Sequence, residues 1–359
     1  NFPLLAYHHG NQEGTWVLGA LLQRGGANAT LPVPAFGQPD DAVAFLFPHR
    51  YGGTNRESSW QRLALGVARR IGESVGLGLS VSLARLRLQE RRRIWAGFAG
   101  RDSLLGPSRD LDLELSGTDT HNLGSSVGML IAPPEIPFEF AIAGEYQRGA
   151  RYRNGVARVS ATSQNAFPRA VNNAASSALN LPSSFTLRTG IRYLGDRSFV
   201  ELGADLYHRR DQSQRLWSLS GLQVVDDSGV VASLDKTAAL THSRTHLALR
   251  GAVDYQLVEG YLWLTTGYAY NSPTSPQNWR QPAFARLGGH TLALGIESTY
   301  EEFTLSVGYA HTLERRRVTQ EESASQVINP FDGATAAGNA GTYTASSDQL
   351  GFALEMSWE

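Results

Sequence analysis

Between Gly288 and Trp358 hydrophobic positions alternate with small or polar ones, three times over. Leu292, Leu294 and Ile296 share one phase, with Thr291, Ala293, Gly295 and Glu297 in the other. Phe303, Leu305, Val307 and Tyr309 alternate with Thr304, Ser306, Gly308 and Ala310, and Leu350, Phe352, Leu354, Met356 and Trp358 with Gly351, Ala353, Glu355 and Ser357. Successive side chains of a strand point to opposite faces, so each stretch predicts a strand with one oily face. The other face holds Gly, Ala, Ser and a few carboxylates, and the oily faces run into Tyr and Trp. A barrel in a bilayer asks for both, with lipid outside, a polar lumen inside and aromatics at the interfaces.

The same alternation predicts strands near 59–71, 75–88, 120–132, 136–148, 184–194, 197–209, 243–257, 260–270, 289–300, 303–315 and 348–358. Further patterns at 2–8, 14–24 and 42–48 bring the total to fourteen, an even number as in bacterial barrels. Pro32, Pro34 and Pro39 interrupt the first region, since Pro is barred from paired central strands. The fold class is therefore all-β, a transmembrane antiparallel barrel occupying 1–359 as a single domain. Pro168 to Leu179, inside a connection, is the best helix candidate.

Connections fall into two classes. Gly72–Ser74, Pro133–Glu135, Gly195–Asp196, Val258–Gly260 and Glu301–Glu302 are tight turns, whereas 89–119, 149–183, 210–242, 271–288 and 316–347 are long. Short turns alternating with long loops mark the periplasmic and extracellular ends of an outer-membrane barrel, so 149–183 and 316–347 are expected to be extracellular. Every tight turn carries an acid, and the opposite strand ends carry arginines. Arg91, Arg92, Arg93, Arg315, Arg316 and Arg317 are expected to face the phosphates of lipopolysaccharide, which guanidinium groups bind well.

Composition narrows the function. No run of 18 apolar residues exists, so there is no transmembrane helix. The balance of 32 basic against 33 acidic residues gives no case for nucleic acid. His8-His9 lack a third ligand at metal spacing. Gly66, Gly76 and Gly78 lie inside strands with no helix following, so they are small lumen residues rather than a phosphate loop. No nucleophile elbow or comparable constellation appears, so no enzyme, catalytic residue, metal site or cofactor is expected.

The inward faces carry charge. Arg188 and Arg192 lie across a tight hairpin from Glu201 and Asp205, and Arg250 shares a face with Arg244, His246 and Asp254. An Arg facing lipid at mid-membrane costs roughly 2–4 kcal/mol, so these residues, with Glu297, are expected to form a polar network in the lumen. Arg85 and Arg87 instead share a phase with Leu79 and Val81, near the loop end of their strand, where an Arg can snorkel.

Several stretches together resemble a known family. Leu181-Pro182-Ser183 through Gly190-Ile191-Arg192-Tyr193 is similar to the LP…GxxY strand of FadL-type outer-membrane transporters of long-chain fatty acids and aromatic hydrocarbons. Asn122-Leu123-Gly124 with Gly128 and Gly144-Glu145-Tyr146 resembles their paired hairpin, and Gly267-Tyr268-Ala269-Tyr270, His290-Thr291-Leu292 and Val307-Gly308-Tyr309-Ala310-His311 their C-terminal third. The resemblance covers roughly 59–358. It implies a fourteen-stranded barrel that takes up hydrophobic small molecules passively at the outer membrane, closed by an N-terminal hatch. Asn1-Phe2-Pro3 only partly matches the motif that follows this hatch, so the expectation is either that the segment carrying the hatch lies outside this sequence or that the barrel has lost its plug. For a fatty acid, Arg188 and Arg250 are the expected carboxylate ligands, and Phe167, Leu179, Leu181, Trp217 and Trp279 the expected docking groove. Outer-membrane lipid, lipopolysaccharide and a hydrophobic small molecule are the implied partners. The alternative is a non-transporting barrel serving as a platform for another envelope protein.

Overall fold

A computed structural model describes residues 4–10, 16–30, 53–94, 110–161, 169–172, 175–210, 212–225, 231–243, 245–274, 287–320, 326–328, 335–337 and 341–356. Among them there is no helix. Seventeen strands join in one antiparallel sheet. Thirteen of these pair in chain order to make the barrel wall: Leu4–Gly10, Trp16–Thr30, Asn55–Ile71, Val75–Ile94, Leu111–Ile131, Phe138–Gln147, Ser184–Leu194, Ser198–Arg209, His246–Val258, Leu262–Asn271, Gly289–Tyr300, Phe303–Glu314 and Ser346–Met356.

These coincide with thirteen of the fourteen expected strands. The candidate at 42–48 lies outside the described residues, and no described strand separates Trp16–Thr30 from Asn55–Ile71, which pair with each other directly. The two end strands, Leu4–Gly10 and Ser346–Met356, both run toward the tight-turn end. Antiparallel closure between them takes an odd number of further strands, so fourteen is the smallest total that alternates throughout.

The wall follows from the alternation. Leu292 and Leu294 pair with His311 and Tyr309, and Leu305 and Val307 with Leu354 and Phe352, so apolar residues line up across strands on one face. That face is bare: Leu294 is 53 % exposed and Phe352 71 %. An aqueous sheet would not leave such a surface uncovered, whereas lipid covers it here. Glu297 lies on the opposite face, where it accepts a hydrogen bond from Ser306 at 2.9 Å. Aromatics gather toward both ends of the wall. Phe138 packs on Tyr193 with ring centroids 5.2 Å apart near the turns, and Tyr146 and Phe185, register partners, stand exposed near the loops. Gly72 and Gly260 make tight turns with φ of +61° and +75°, conformations that favour glycine.

The long connections differ from expectation. Val75–Ile94 and Leu111–Ile131 run 20 and 21 residues, about twice the 9–11 that a bilayer needs, so their loop-end halves project beyond it. Residues expected to be loop add four more strands to this sheet: Arg151–Ala161, Ala175–Asn180, Gln212–Ser220 and Lys236–Ser243. They branch from Leu111–Ile131 by successive pairing, and the branch curls back onto Val75–Ile94, where Arg92 donates to the Thr237 carbonyl at 3.4 Å. The helix expected at 168–179 is also absent: Arg169–Asn172 and Ala175–Asn180 are strands, because alternating Ala175, Ser177 and Leu179 bury one face against the branch.

Candidate functional site

Two constellations stand inside this frame, one in the lumen and one at the loop end. In the lumen, register sets Arg192 opposite Glu201 and Arg188 opposite Asp205. Arg192 pairs with Glu201 at 3.0 Å as expected, and also approaches Glu139 at 3.6 Å. Arg188 turns the other way, to Glu145 at 2.8 Å, and Arg62 reaches the same carboxylate at 3.1 Å across two intervening strands. Asp205 is taken by Arg250 at 2.6 Å and by the Tyr207 hydroxyl, which donates at 3.1 Å. Asp254 accepts from the Thr265 hydroxyl at 2.5 Å. The lumen is thus cross-braced, with its arginines held by carboxylates of the same chain.

A double-mutant cycle checks the observed pairing. Arg250→Ala with Asp205→Ala should show a coupling of about 1 kcal/mol in thermal stability, modest because Arg250 is half exposed and screened. Arg188→Ala with Asp205→Ala should show clearly less. Equal couplings in the two cycles would contradict the geometry.

At the loop end the phase of the wall reverses. Leu79, Val81 and Leu83 face outward, but beyond Arg85 the apolar residues of the same strand are Leu86, Leu88 and Ile94, which face inward. Above the bilayer the outside is water, so the oily face has to turn in. Leu111, Leu113 and Leu115 pair beside them, and Tyr152, Val159, Leu179, Trp217, Leu219 and Val224 complete a buried core. A charged cluster sits inside it. Glu90, on the inward face between Leu88 and Arg92, accepts the Trp217 indole N–H at 2.9 Å. Arg215 lies 2.7 Å from its carboxylate and Arg56 3.9 Å.

Burial alone would push the Glu90 carboxyl up, but Arg215, Arg92, Arg56 and the indole N–H outweigh it and hold it below the usual carboxylate range. Burial lowers Arg92 and Arg56 to about 10, so both stay charged at neutral pH. Trp217 and Arg92 were singled out from sequence for other roles, whereas Glu90, Arg56 and Arg215 were not. The signal that could have found the cluster is the phase change between Leu83 and Leu86.

The expected site residues divide accordingly. Leu179 and Trp217 are brought together, register partners in the branch, and Leu181 packs against the same core. They are buried in it rather than lining an open groove: Trp217 is 0 % exposed. Phe167 and Trp279 lie outside the described residues, as does Arg244. Of the arginines expected to face lipopolysaccharide, Arg91, Arg315 and Arg316 are at the surface and Arg317 is half-buried. Arg92 and Arg93 are not: each is 3 % exposed, Arg92 within the core cluster and Arg93 between Asp110 and Asp112. Among the described residues no group of three His, Cys, Asp or Glu is placed to hold a metal ion.

No protein-family model matches the chain, and no curated protein matches its sequence. Solved structures do. A FadL homologue from Pseudomonas aeruginosa superposes with a TM-score of 0.68 at 12 % identity, covering 98 % of this chain and 76 % of that one. The fold is FadL-like. The toluene transporters TodX of Pseudomonas putida and TbuX of Ralstonia pickettii superpose with TM-scores of 0.62 and 0.58, both at 12 % identity. They match 89 % and 99 % of this chain over 78 % and 80 % of their own. In this FadL-like barrel the lumen network crosses the wall interior, and the branch adds its own core at one end.

Proposed function

We propose that the chain is an outer-membrane barrel that lets hydrophobic small molecules pass without energy input. The observation that carries this reading is the FadL-like fold over nearly the whole chain, shared with barrels named as toluene transporters. The expected fatty-acid ligand needs a free cation for its carboxylate. Arg188 and Arg250 already meet Glu145 and Asp205, so a neutral hydrocarbon suits this lumen better. An incoming carboxylate would have to displace one of those partners, leaving it unpaired in a confined site.

Vesicles containing the purified barrel, compared with empty vesicles, test this by uptake of radiolabelled toluene and of a long-chain fatty acid. Faster toluene entry is the expected result. Faster entry of the acid alone would reverse the ligand assignment, and no acceleration of either would overturn transport. In that event the platform reading stands, favoured by a loop-end core filled by the chain's own side chains. A platform should purify with a stoichiometric envelope protein.

The same proposal fixes sidedness: loops outward, acidic turns in the periplasm. In whole cells an impermeant thiol reagent should label Arg316→Cys and spare Glu73→Cys. Labelling of Glu73→Cys alone would invert the orientation.

A further inference from the structure

One column of the outer wall changes character abruptly. Along Val75–Ile94 the outward positions read Leu77, Leu79, Val81, Leu83, then Arg85 and Arg87. Both arginines are exposed, and neither has an ion pair or hydrogen bond within the described chain. Arg91, farther along the same column, is neutralised by Asp112 at 2.9 Å, with Glu114 at 3.9 Å. Free positive charge on this column is therefore confined to the two positions just past the apolar band.

Beside them the wall is hollowed. Leu63, Leu65, Val81, Leu83, Leu123 and Tyr146 rim an apolar hollow of about 370 Å³ on the lipid-facing side. Its cause is local: the outward row runs Leu65, Val81, Ser125, Tyr146, and Ser125 is the small residue among large ones. On the loop side of the hollow, Thr120 and His121 interrupt the pairing between Ala84–Asn122 and Leu86–Asp119. Both are exposed and hydrogen-bond each other at 2.7 Å, adding polar groups next to Arg85. Arg85 and Arg87 stand two and four residues past Leu83, roughly 7–14 Å along the strand. That is the offset between a lipid's upper acyl chain and its head-group.

We propose that this is a binding site for one phosphate-bearing glycolipid of the outer leaflet, the acylated, phosphorylated saccharide of lipopolysaccharide. One acyl chain lies in the hollow, and a phosphate spans Arg85 and Arg87. The hollow opens onto the bilayer, so a lipid reaches it laterally. Guanidinium groups suit phosphate because their planar N–H fork matches its oxygens. The choice of leaflet rests on the loops facing outward, which the labelling at 316 and 73 decides independently.

The test is native mass spectrometry of the detergent-purified barrel, with lipid added back as diphosphorylated lipid A, its dephosphorylated form, or phosphatidylglycerol. Wild type should hold one diphosphorylated lipid A, at least about tenfold more than the dephosphorylated form, as for the loss of about 1.4 kcal/mol. Arg85→Gln with Arg87→Gln should lose a similar factor. Ser125→Phe, which fills the hollow and keeps both arginines, should lose retention too. Equal retention of phosphorylated and dephosphorylated lipid by wild type would overturn the proposal whether or not the variants fold. Equal binding of phosphatidylglycerol would overturn the glycolipid assignment, and undiminished retention by folded Ser125→Phe the role of the hollow.

Discussion

Glu90→Gln is expected to open the loop-end core while leaving the barrel wall intact. The substitution keeps shape but removes the charge of the carboxylate that faces Arg56, Arg92 and Arg215. Breaking a buried ion pair from one side costs about 3–5 kcal/mol, because a buried charge loses the partner that offset its desolvation. That is a large part of the stability of any small core. Limited trypsin digestion read by mass spectrometry should show new cleavage at Arg92 and Arg215, both buried in the wild type. Heat-modifiable migration of the barrel on gels should be unchanged. The sign with pH follows from a carboxyl held below its ordinary range. Its contribution is fully present above the unfolded value, near 4.3, and is lost as pH falls through the folded value. The difference between wild type and Glu90→Gln should therefore be large at pH 7 and shrink in strong acid. Wild-type resistance to trypsin in the variant at pH 7 would show that the cluster holds nothing together.

The second large effect concerns the wall itself. Leu294→Arg should destabilise the barrel by roughly 2–4 kcal/mol, the cost of an arginine on the lipid face near mid-membrane. Leu294 lies on the outward row with Tyr309 and Leu350, about half exposed, in a strand whose register is set on both sides. Ala293→Ser, one residue along and on the opposite face, should cost much less. Refolding into lipid vesicles across a urea series measures both. If the order were inverted, every facing assigned to the last three wall strands would be inverted with it, since a one-residue slip exchanges the two faces.

How far each feature could be read from sequence depends on how local its cause is. Leu292, Leu294 and Ile296 declare their face because the strand repeat is two residues and lipid covers that side without any partner from the chain. The tight turns were equally legible, since their few residues contain the whole hairpin. The sequence alone therefore determined the wall, its two kinds of end and the inward placement of Arg188, Arg192, Arg250 and Glu297. It did not determine partners. Arg188 is opposite Asp205 by register, yet Glu145 takes it, because Arg250 from the neighbouring strand and Tyr207 two residues along the same strand hold Asp205.

What covers the loop-end core was decided by the tertiary structure. Leu111, Leu113 and Leu115 alternate as a lipid-facing strand would, and a period of two says that one face is apolar without saying what covers it. The cover comes from Tyr152, Leu179 and Trp217, tens of residues away on the strands of the branch. Arg91, Arg92 and Arg93 make the same point in three consecutive residues. They read as one cationic end, but Arg92 turns into the core, and Asp110 and Asp112 enclose Arg93. Alternation fixes which side of a strand a residue occupies, whereas burial depends on which distant strand comes to lie against that side.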